Sequence, residues 1–147
     1  MKPITSFLVA LGLAATAATA QEPATLAAVD AAQVDLAEFQ WQKRPIVVFA
    51  QTPLDPAFVR QMELLTERSD ELADRDVVII TDTDPANPSE LRRQLRPRGF
   101  MLVLIGKDGG VKLRKPFPWD VREITRTIDK MPLRRQELRD RRANTDG

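Results

Sequence analysis

Three uninterrupted apolar runs along the chain predict the strands of a sheet. Pro45 opens the first run, IVVFA, whose β-branched residues and flanking turn residues are typical of a strand buried on both faces. The second run is VVII at 77–80, and the third is FMLVLIG at 100–106. After the third, Lys107-Asp108-Gly109-Gly110 carries the Asp-Gly pair that favours a tight hairpin into a fourth strand, VKLR.

Capping residues and helical periodicity lie between and after these runs. Asp55 is placed to cap a helix that begins at Pro56, and Asn87-Pro-Ser-Glu90 caps a second helix that must stop before Pro97. Asp120-Val-Arg-Glu123 is a capping box for a third helix. Apolar residues recur at helical spacing at Phe58, Val59, Met62 and Leu65 in the first helix, and at Val121, Ile124, Ile128 and Met131 in the last.

The elements therefore follow the order strand, helix, strand, helix, two hairpin strands, helix. A helical crossover joins parallel strands and a hairpin joins antiparallel ones, so this order predicts a mixed four-stranded sheet with helices on both faces. The order βαβαββα is the minimal thioredoxin-like plan of the α/β class. We expect this domain to occupy residues 35–132.

The segments that flank the domain differ from it in composition. Residues 1–20 run from Lys2 through an apolar stretch to Ala18-Thr19-Ala20, which is typical of a signal peptide cleaved near Ala20-Gln21. We therefore expect a periplasmic or secreted monomer, and the alternative is an uncleaved N-terminal anchor. The alanine-rich residues 21–34 predict a mobile leader, and residues 133–147 predict a basic, disordered tail.

The residue types that are missing restrict the chemistry. The chain has no cysteine, histidine or tyrosine, which excludes thiolate nucleophiles, imidazole bases and metal sites built on nitrogen or sulfur. Redox-active thioredoxin-like proteins carry their thiol pair between the first strand and the first helix, where this chain has Gln51, Thr52, Pro53 and Leu54. Thiol oxidoreductase and peroxidase chemistry is therefore not available to it, and no cofactor is indicated.

The charges are distributed unevenly along the chain. Residues 21–91 hold 5 basic and 14 acidic side chains, and residues 92–147 hold 16 basic and 7 acidic ones. This asymmetry is compatible with a basic face for an anionic partner. It is also compatible with two halves that neutralise each other when they pack, and this is the interpretation we favour.

Four segments resemble a known family. RPIVVFAQTPLDP, VVIITDTD, RGFMLVLIGKDGGVKLR and IDKMPLRRQE are similar to the DUDES family, a domain of unknown function in bacterial exported proteins and vertebrate extracellular-matrix proteins. The resemblance covers about residues 33–137 and is most specific in LIGKDGGVKLR and IDKMPLRRQE. It implies a thioredoxin-like or peroxiredoxin-like fold and carries no settled activity.

The corner after the first strand is the main candidate binding site, because ligands of open α/β sheets gather beyond the carboxyl ends of the strands. It comprises Gln51, Thr52 and Asp55, and Arg96 and Arg98 lead into the third strand where they can reach the same corner and hold an anion. The structural alternative is that Asp55 only caps its helix and that the arginines are solvated or paired with Asp55.

Asp82 and Asp84 form a weaker candidate, since two carboxylates at i and i+2 after a strand face the same way, as a site for a hard cation requires. The alternative is a polar turn from strand to helix. An enzyme that uses these two carboxylates and a metal, together with Lys115, is accordingly an alternative function.

Basic and aromatic residues make up the remaining candidates. Lys112, Arg114 and Lys115 lie in the hairpin strand with Phe117 and Trp119 beyond it, and the tail carries Arg134, Arg135, Arg139, Arg141 and Arg142. We expect no nucleic-acid partner for an exported protein. Weak contact of the basic tail with an anionic surface remains an expectation.

The sequence favours an exported, non-catalytic, thioredoxin-like domain that binds a protein or a small ligand. The alternatives are the carboxylate and metal enzyme and a peroxiredoxin-like protein with a degenerate active site.

Overall fold

The computed structural model describes residues 26–147. The predicted signal peptide at 1–20 and the first part of the predicted leader, residues 21–25, lie outside the described residues. No helix within 26–147 combines the length and apolar character needed to cross a membrane.

A mixed sheet of five strands forms the centre of the domain. The strands are β1 (Ala28–Asp30), β2 (Arg44–Phe49), β3 (Val77–Asp82), β4 (Met101–Ile105) and β5 (Val111–Lys115), in the spatial order β1-β3-β2-β4-β5. β1 and β2 run parallel to β3, whereas β4 is antiparallel to β2 and β5 is antiparallel to β4. The predicted parallel pair and the predicted hairpin are therefore both present, and the apolar strand β2 is buried at every position.

The four-stranded sheet predicted from the sequence has to be corrected to five strands. β1 lies in the segment expected to be a mobile leader, and it pairs in parallel with residues Ile79, Ile80 and Thr81 of β3. Three residues are too few to show a two-residue hydrophobic period, so the pattern gave no signal for this strand. Pairing is favourable because β1 satisfies backbone groups along the outer edge of β3 and leads Ala31 into the core.

Helices cover both faces of the sheet, as predicted. They are α1 (Pro56–Glu67), α2 (Ser69–Ala73), α3 (Glu90–Leu95), α4 (Val121–Asp129) and α5 (Pro132–Thr145), with short 3-10 helices at Ala31–Gln33 and Leu36–Phe39. One apolar core joins Ile46 and Val48 of β2 to helices α1, α2 and α4, and the other joins Val47 and Phe49 to α3 and the first 3-10 helix. Successive side chains of β2 point to opposite faces of the sheet and therefore contribute to two separate cores.

The predicted disordered tail is also corrected, because α5 occupies most of residues 133–147. It has no apolar stripe, and ion pairs hold its first turns instead. The buried Arg134 lies 3.0 Å from the Asp74 carboxylate and 3.3 Å from Glu137, and Arg141 lies 3.1 Å from Asp74. Hydrophobic periodicity cannot reveal a helix that is anchored in this way.

These contacts favour mutual neutralisation as the explanation of the uneven charge distribution. Asp74, Asp76 and Asp82 belong to the acidic half of the chain. They pair with Arg134, Lys107 and Arg92 of the basic half, at distances of 2.8–3.0 Å. Part of the charge of each half is therefore neutralised by ion pairs with the other half.

Candidate functional site

The corner after β2 is a capped turn that opens α1. The Asp55 carboxylate accepts a hydrogen bond from the Ala57 amide at 2.9 Å, and the Thr52 hydroxyl accepts one from the Leu54 amide at 2.9 Å. The N-cap alone is worth about 1 kcal/mol of stability, which gives Asp55 a structural role. Gln51 and Thr52 are exposed at this turn.

Arg96 and Arg98 lie on the connection from α3 to β4. The pairing of Phe49 with Met101 brings the residues before β4 to the same edge of the sheet as the residues after β2. Both arginines are exposed, and Arg96 ends α3 in a left-handed conformation with φ 49°. Among the described residues, no salt bridge joins either arginine to Asp55.

Asp82 belongs to a buried ion pair. Its carboxylate accepts bonds from Arg92 Nη2 at 2.9 Å and Nε at 3.1 Å, and from the Ser89 hydroxyl at 2.6 Å. Arg92 also donates to the carbonyl oxygens of Ala50 and Asp82 and lies over the ring of Phe49. Burial alone would raise the pKa of Asp82, but the bonds from Arg92 and Ser89 outweigh it and hold that pKa below its usual value.

This pairing changes the interpretation of the Asp82 and Asp84 motif. Asp84 is exposed and its side chain bonds to Asn87, so the two carboxylates serve different partners. Within residues 26–147, no group of three or more acidic side chains is arranged to hold a metal ion. The arrangement is that of a buried salt bridge between β3 and α3.

The basic and aromatic residues after the hairpin make local contacts. Arg114 donates to the Leu95 carbonyl oxygen at 2.6 Å, and the Lys115 ammonium lies 4.9 Å from the centre of the Trp119 ring. The Trp119 backbone amide donates to Gln61. These residues fasten the hairpin and the start of α4 to the rest of the domain. In α5, Arg135, Arg139 and Arg142 are exposed, whereas Arg134 is buried.

A cavity that the sequence did not predict lies at the opposite end of β2. Its volume is about 410 Å³, and we call it the tryptophan cavity. It is lined by Trp41, Arg44, Gly106, Lys107, Asp108, Lys112, Met131, Pro132 and Leu133. The residues come from the start of β2, the β4–β5 hairpin and the start of α5. A strand of six residues spans about 20 Å, so this cavity is well separated from the corner.

One side of the cavity is charged. Arg44 is 1% exposed, and its two terminal nitrogens bond to Glu137 at 3.0 and 3.3 Å, while Nη1 also donates to the Arg75 carbonyl oxygen. The Lys107 ammonium lies 2.7 Å from Glu137 and 2.8 Å from Asp76. Burial alone would raise the pKa of Glu137, but hydrogen bonds and positive charge from Lys107 and Arg44 lower it to about 2. Glu137 is therefore ionised throughout the physiological range.

The other side is apolar and is formed by Trp41, Met131, Pro132 and Leu133. Trp41 is 64% exposed and has φ 66°, a left-handed conformation that costs a bulky residue about 1–3 kcal/mol. Its amide donates to the Lys107 carbonyl oxygen at 2.6 Å, which holds the indole ring beside the hairpin. A strained and exposed aromatic residue at the rim of a cavity is a feature to expect of a binding site.

The domain of unknown function DUF4174 matches residues 35–137. The chain belongs to this family. The resemblance derived from the sequence is thus confirmed. Within the DUF4174 match, the two segments that carry that resemblance most specifically meet at the cavity, because Lys107 belongs to one and Met131 to the other, and both residues line it.

A curated relative of this DUF4174 domain is Coiled-coil domain-containing protein 80 from Danio rerio, at 31% identity over 133 residues. The alignment takes in 70% of this chain but only 15% of the length of that relative. The likeness therefore concerns one part of a much longer protein.

Two solved structures support the predicted fold. The reduced 2-Cys peroxiredoxin of Plasmodium vivax has a TM-score of 0.53 at 17% identity, over 65% of this chain and 81% of that one. Prx1a of Plasmodium yoelii, modified at the N-terminus, has a TM-score of 0.50 at 20% identity, over 65% and 77% of the two chains. At these identities the likeness shows the fold alone, and it confirms the thioredoxin-like α/β class for this DUF4174 domain.

Sequence reasoning missed the cavity for an identifiable reason. In the sequence, Arg44 stands before an apolar run, and Glu137 lies in a C-terminal segment that has no hydrophobic periodicity. The two residues become neighbours only in the folded chain, because 93 positions separate them in the sequence. The usable signal was the specificity of the GKDGG and KMPLRRQE segments, both of which contribute residues to the lining of the cavity.

Trp41→Gly is expected to leave the free energy of unfolding within about 1 kcal/mol of wild type, because relief of the left-handed backbone offsets the greater flexibility of glycine in the unfolded chain. Urea unfolding followed by circular dichroism measures this. Trp119→Gly removes a half-buried tryptophan that packs on the core, and it should cost about 3 kcal/mol or more. A loss of similar size at Trp41 would mean that its role is structural.

Proposed function

We propose that this DUF4174 domain is an exported, non-catalytic binding domain and that the tryptophan cavity holds its ligand. The observation that carries the proposal is the combination of an exposed, strained aromatic residue with buried charged groups around a cavity of about 410 Å³. That volume falls within the range of about 300–1,000 Å³ that is usual for small-molecule sites.

The composition of the two ends of β2 supports binding over catalysis. The corner at which thioredoxin-like enzymes place their thiols carries an amide and a hydroxyl, and the hydroxyl is engaged in its own turn. The cavity offers ammonium, guanidinium and indole groups. None of these is a thiol or an imidazole, and the sequence contains neither of the latter.

The proposed location is the periplasm or the extracellular space. Its support is the pattern of residues 1–20, with a basic start, an apolar stretch and a small-residue cleavage site. Intact mass analysis of the protein recovered from the exporting host tests it. A mass that begins at Gln21 is the expected result, and a full-length chain in the membrane fraction would contradict it.

Native mass spectrometry tests the binding proposal. We expect the purified chain to retain a small molecule after incubation with a metabolite extract of the producing cells, and Trp41→Gly to lose it. Trp119→Phe is the matched control, since it alters a tryptophan outside the cavity. Equal retention by wild type and Trp41→Gly would place the ligand elsewhere, and no retention by wild type would contradict the proposal.

A protein partner at the corner is the second candidate function, and the exposure of Leu54 favours it. This side chain is 85% exposed, and an open groove on the α1 helix that follows it is lined by Phe58, Val59 and Met62. An apolar surface of this kind is typical of protein contacts. The charged residues that line the groove are Glu63 and Glu67, so its border is acidic.

Crosslinking capture from periplasmic extract tests this second candidate, with a folded Thr52→Arg, Arg98→Glu double variant as the comparison. Capture of the same protein by wild type and by Trp41→Gly, and its loss in the double variant, would support the corner. Capture that survives the double variant would exclude the corner as the contact surface.

A further inference from the structure

Donor groups at the tryptophan cavity exceed the acceptors that they meet. A lysine ammonium has three N–H donors, and that of Lys107 faces two carboxylates, Asp76 and Glu137. One donor of this ammonium is left for a further acceptor. Among the described residues, the Arg44 Nε–H also has no hydrogen-bond partner, but it is fully buried and is not open to a ligand in the cavity.

Lys112 adds a third cation to the lining. It pairs with Asp108 at 2.8 Å, within the hairpin and at partial exposure. An exposed pair of this kind is worth about 0–1 kcal/mol, so an incoming anion can compete for the ammonium. The lining contains the cations Arg44, Lys107 and Lys112 and the carboxylate of Asp108. Arg44 and Lys107 are also paired with Glu137 and Asp76 outside the lining, so the donors left for a ligand are the third N–H of Lys107 and the ammonium of Lys112.

The facing wall has the opposite character. Trp41 supplies a flat aromatic surface, and Met131 and Leu133 supply aliphatic surface. A ligand that fits both walls has an apolar body for the indole side and acceptor-only atoms for the cationic side. An ionised carboxylate is acceptor-only, and its bonds to ammonium and guanidinium groups are charge-assisted.

We infer that the ligand of this cavity is a small amphipathic carboxylate, with its apolar body against Trp41 and Leu133 and its carboxylate toward Lys107 and Lys112. This inference rests on the proposed function and names the chemical class of the ligand. The proposed function requires only that the cavity binds a small molecule.

Isothermal titration of the purified chain with three probes tests the inference. Naphthoate has both parts of the inferred ligand, naphthamide is its neutral counterpart of similar shape, and acetate lacks the apolar body. We expect naphthoate to bind at least tenfold more tightly than naphthamide, and acetate to show no saturable binding at millimolar concentration. Naphthoate affinity should fall as salt is raised, because the cationic side is screened.

Variants locate the two contacts. Trp41→Gly should abolish binding of naphthoate, and Lys107→Met should reduce its advantage over naphthamide by about tenfold while keeping the side-chain stem. Lys112→Met is a milder variant for the case that Lys107→Met does not fold, and it should reduce the same advantage. Arg122→Met, on the exposed face of α4, is the control and should leave both affinities unchanged.

The possible failures separate the inference from the proposed function. Equal binding of naphthoate and naphthamide, lost in Trp41→Gly, would overturn the carboxylate class and leave the cavity as the binding site. Binding of naphthoate that survives Trp41→Gly would overturn both. If neither aromatic probe binds at millimolar concentration, the inferred class is wrong, and the retained metabolite in the native mass experiment decides the proposed function independently.

Discussion

Arg92→Met is expected to lower the free energy of unfolding by about 3–5 kcal/mol at neutral pH. Asp82 is 5% exposed, and this substitution removes the guanidinium that neutralises its carboxylate. It also leaves the Ala50 carbonyl oxygen without the bond that Arg92 donates. An uncompensated buried charge is among the most costly changes that a fold can suffer, and urea unfolding measures the loss directly.

Two comparisons make this result specific. Arg93→Met alters the neighbouring residue on α3, whose pair with Glu90 is exposed, and it should change stability by less than about 1 kcal/mol. Without its partner, the buried Asp82 has a raised pKa, so the deficit of Arg92→Met should shrink as the pH falls and the carboxyl becomes neutral. A loss that matches that of Arg93→Met, or that does not depend on pH, would refute the assignment of a buried ion pair.

Glu137→Gln is expected to lower the free energy of unfolding by about 3 kcal/mol at neutral pH, since it leaves Arg44 and Arg134 without their shared carboxylate. The pKa of Glu137 is lowered from 4.5 to about 2 in the folded protein. Because the pKa is lower in the folded protein, the ionised carboxylate contributes its full stabilisation at pH values above the pKa of the unfolded chain, which is about 4.5. That stabilisation is lost as the pH falls through the pKa of the folded protein, which is about 2.

The difference in stability between wild type and Glu137→Gln should therefore be constant above about pH 5 and should shrink toward pH 2. Urea unfolding over this range measures it, with Glu123→Gln as the control at an exposed pair on α4. The control should stay within about 1 kcal/mol of wild type. A difference between wild type and Glu137→Gln that does not change with pH would show that the carboxylate is not held by Arg44 and Lys107.

The parts of the fold that could be predicted are those with a local cause. β2 and β4 were predictable because their apolar runs are continuous, and α1 and α4 because Asp55 and Asp120 cap amphipathic segments. β1 and α5 were not predictable, because three strand residues show no period and α5 depends on contacts of Arg134 with Asp74, 60 residues away.

The same distinction between local and long-range causes applies to the candidate site. The sequence identified the corner correctly as a turn where a helix begins, since Asp55 and Pro56 are adjacent in the chain. It could not decide the role of Asp82, because that role depends on how α3 places Arg92 against the end of β3. The cavity escaped prediction altogether, because Trp41, Lys107 and Leu133 become neighbours only after the sheet and α5 have formed.

Amide NMR spectra of the chain, recorded before and after addition of a metabolite extract of the producing cells, test the central claim most directly. The account predicts shifts of the amides of Trp41, Gly106 to Lys112, Met131 and Leu133, with the amides of Gln51, Thr52 and Arg98 unchanged. Shifts confined to the corner, or no shifts with any extract, would contradict a ligand site in the tryptophan cavity.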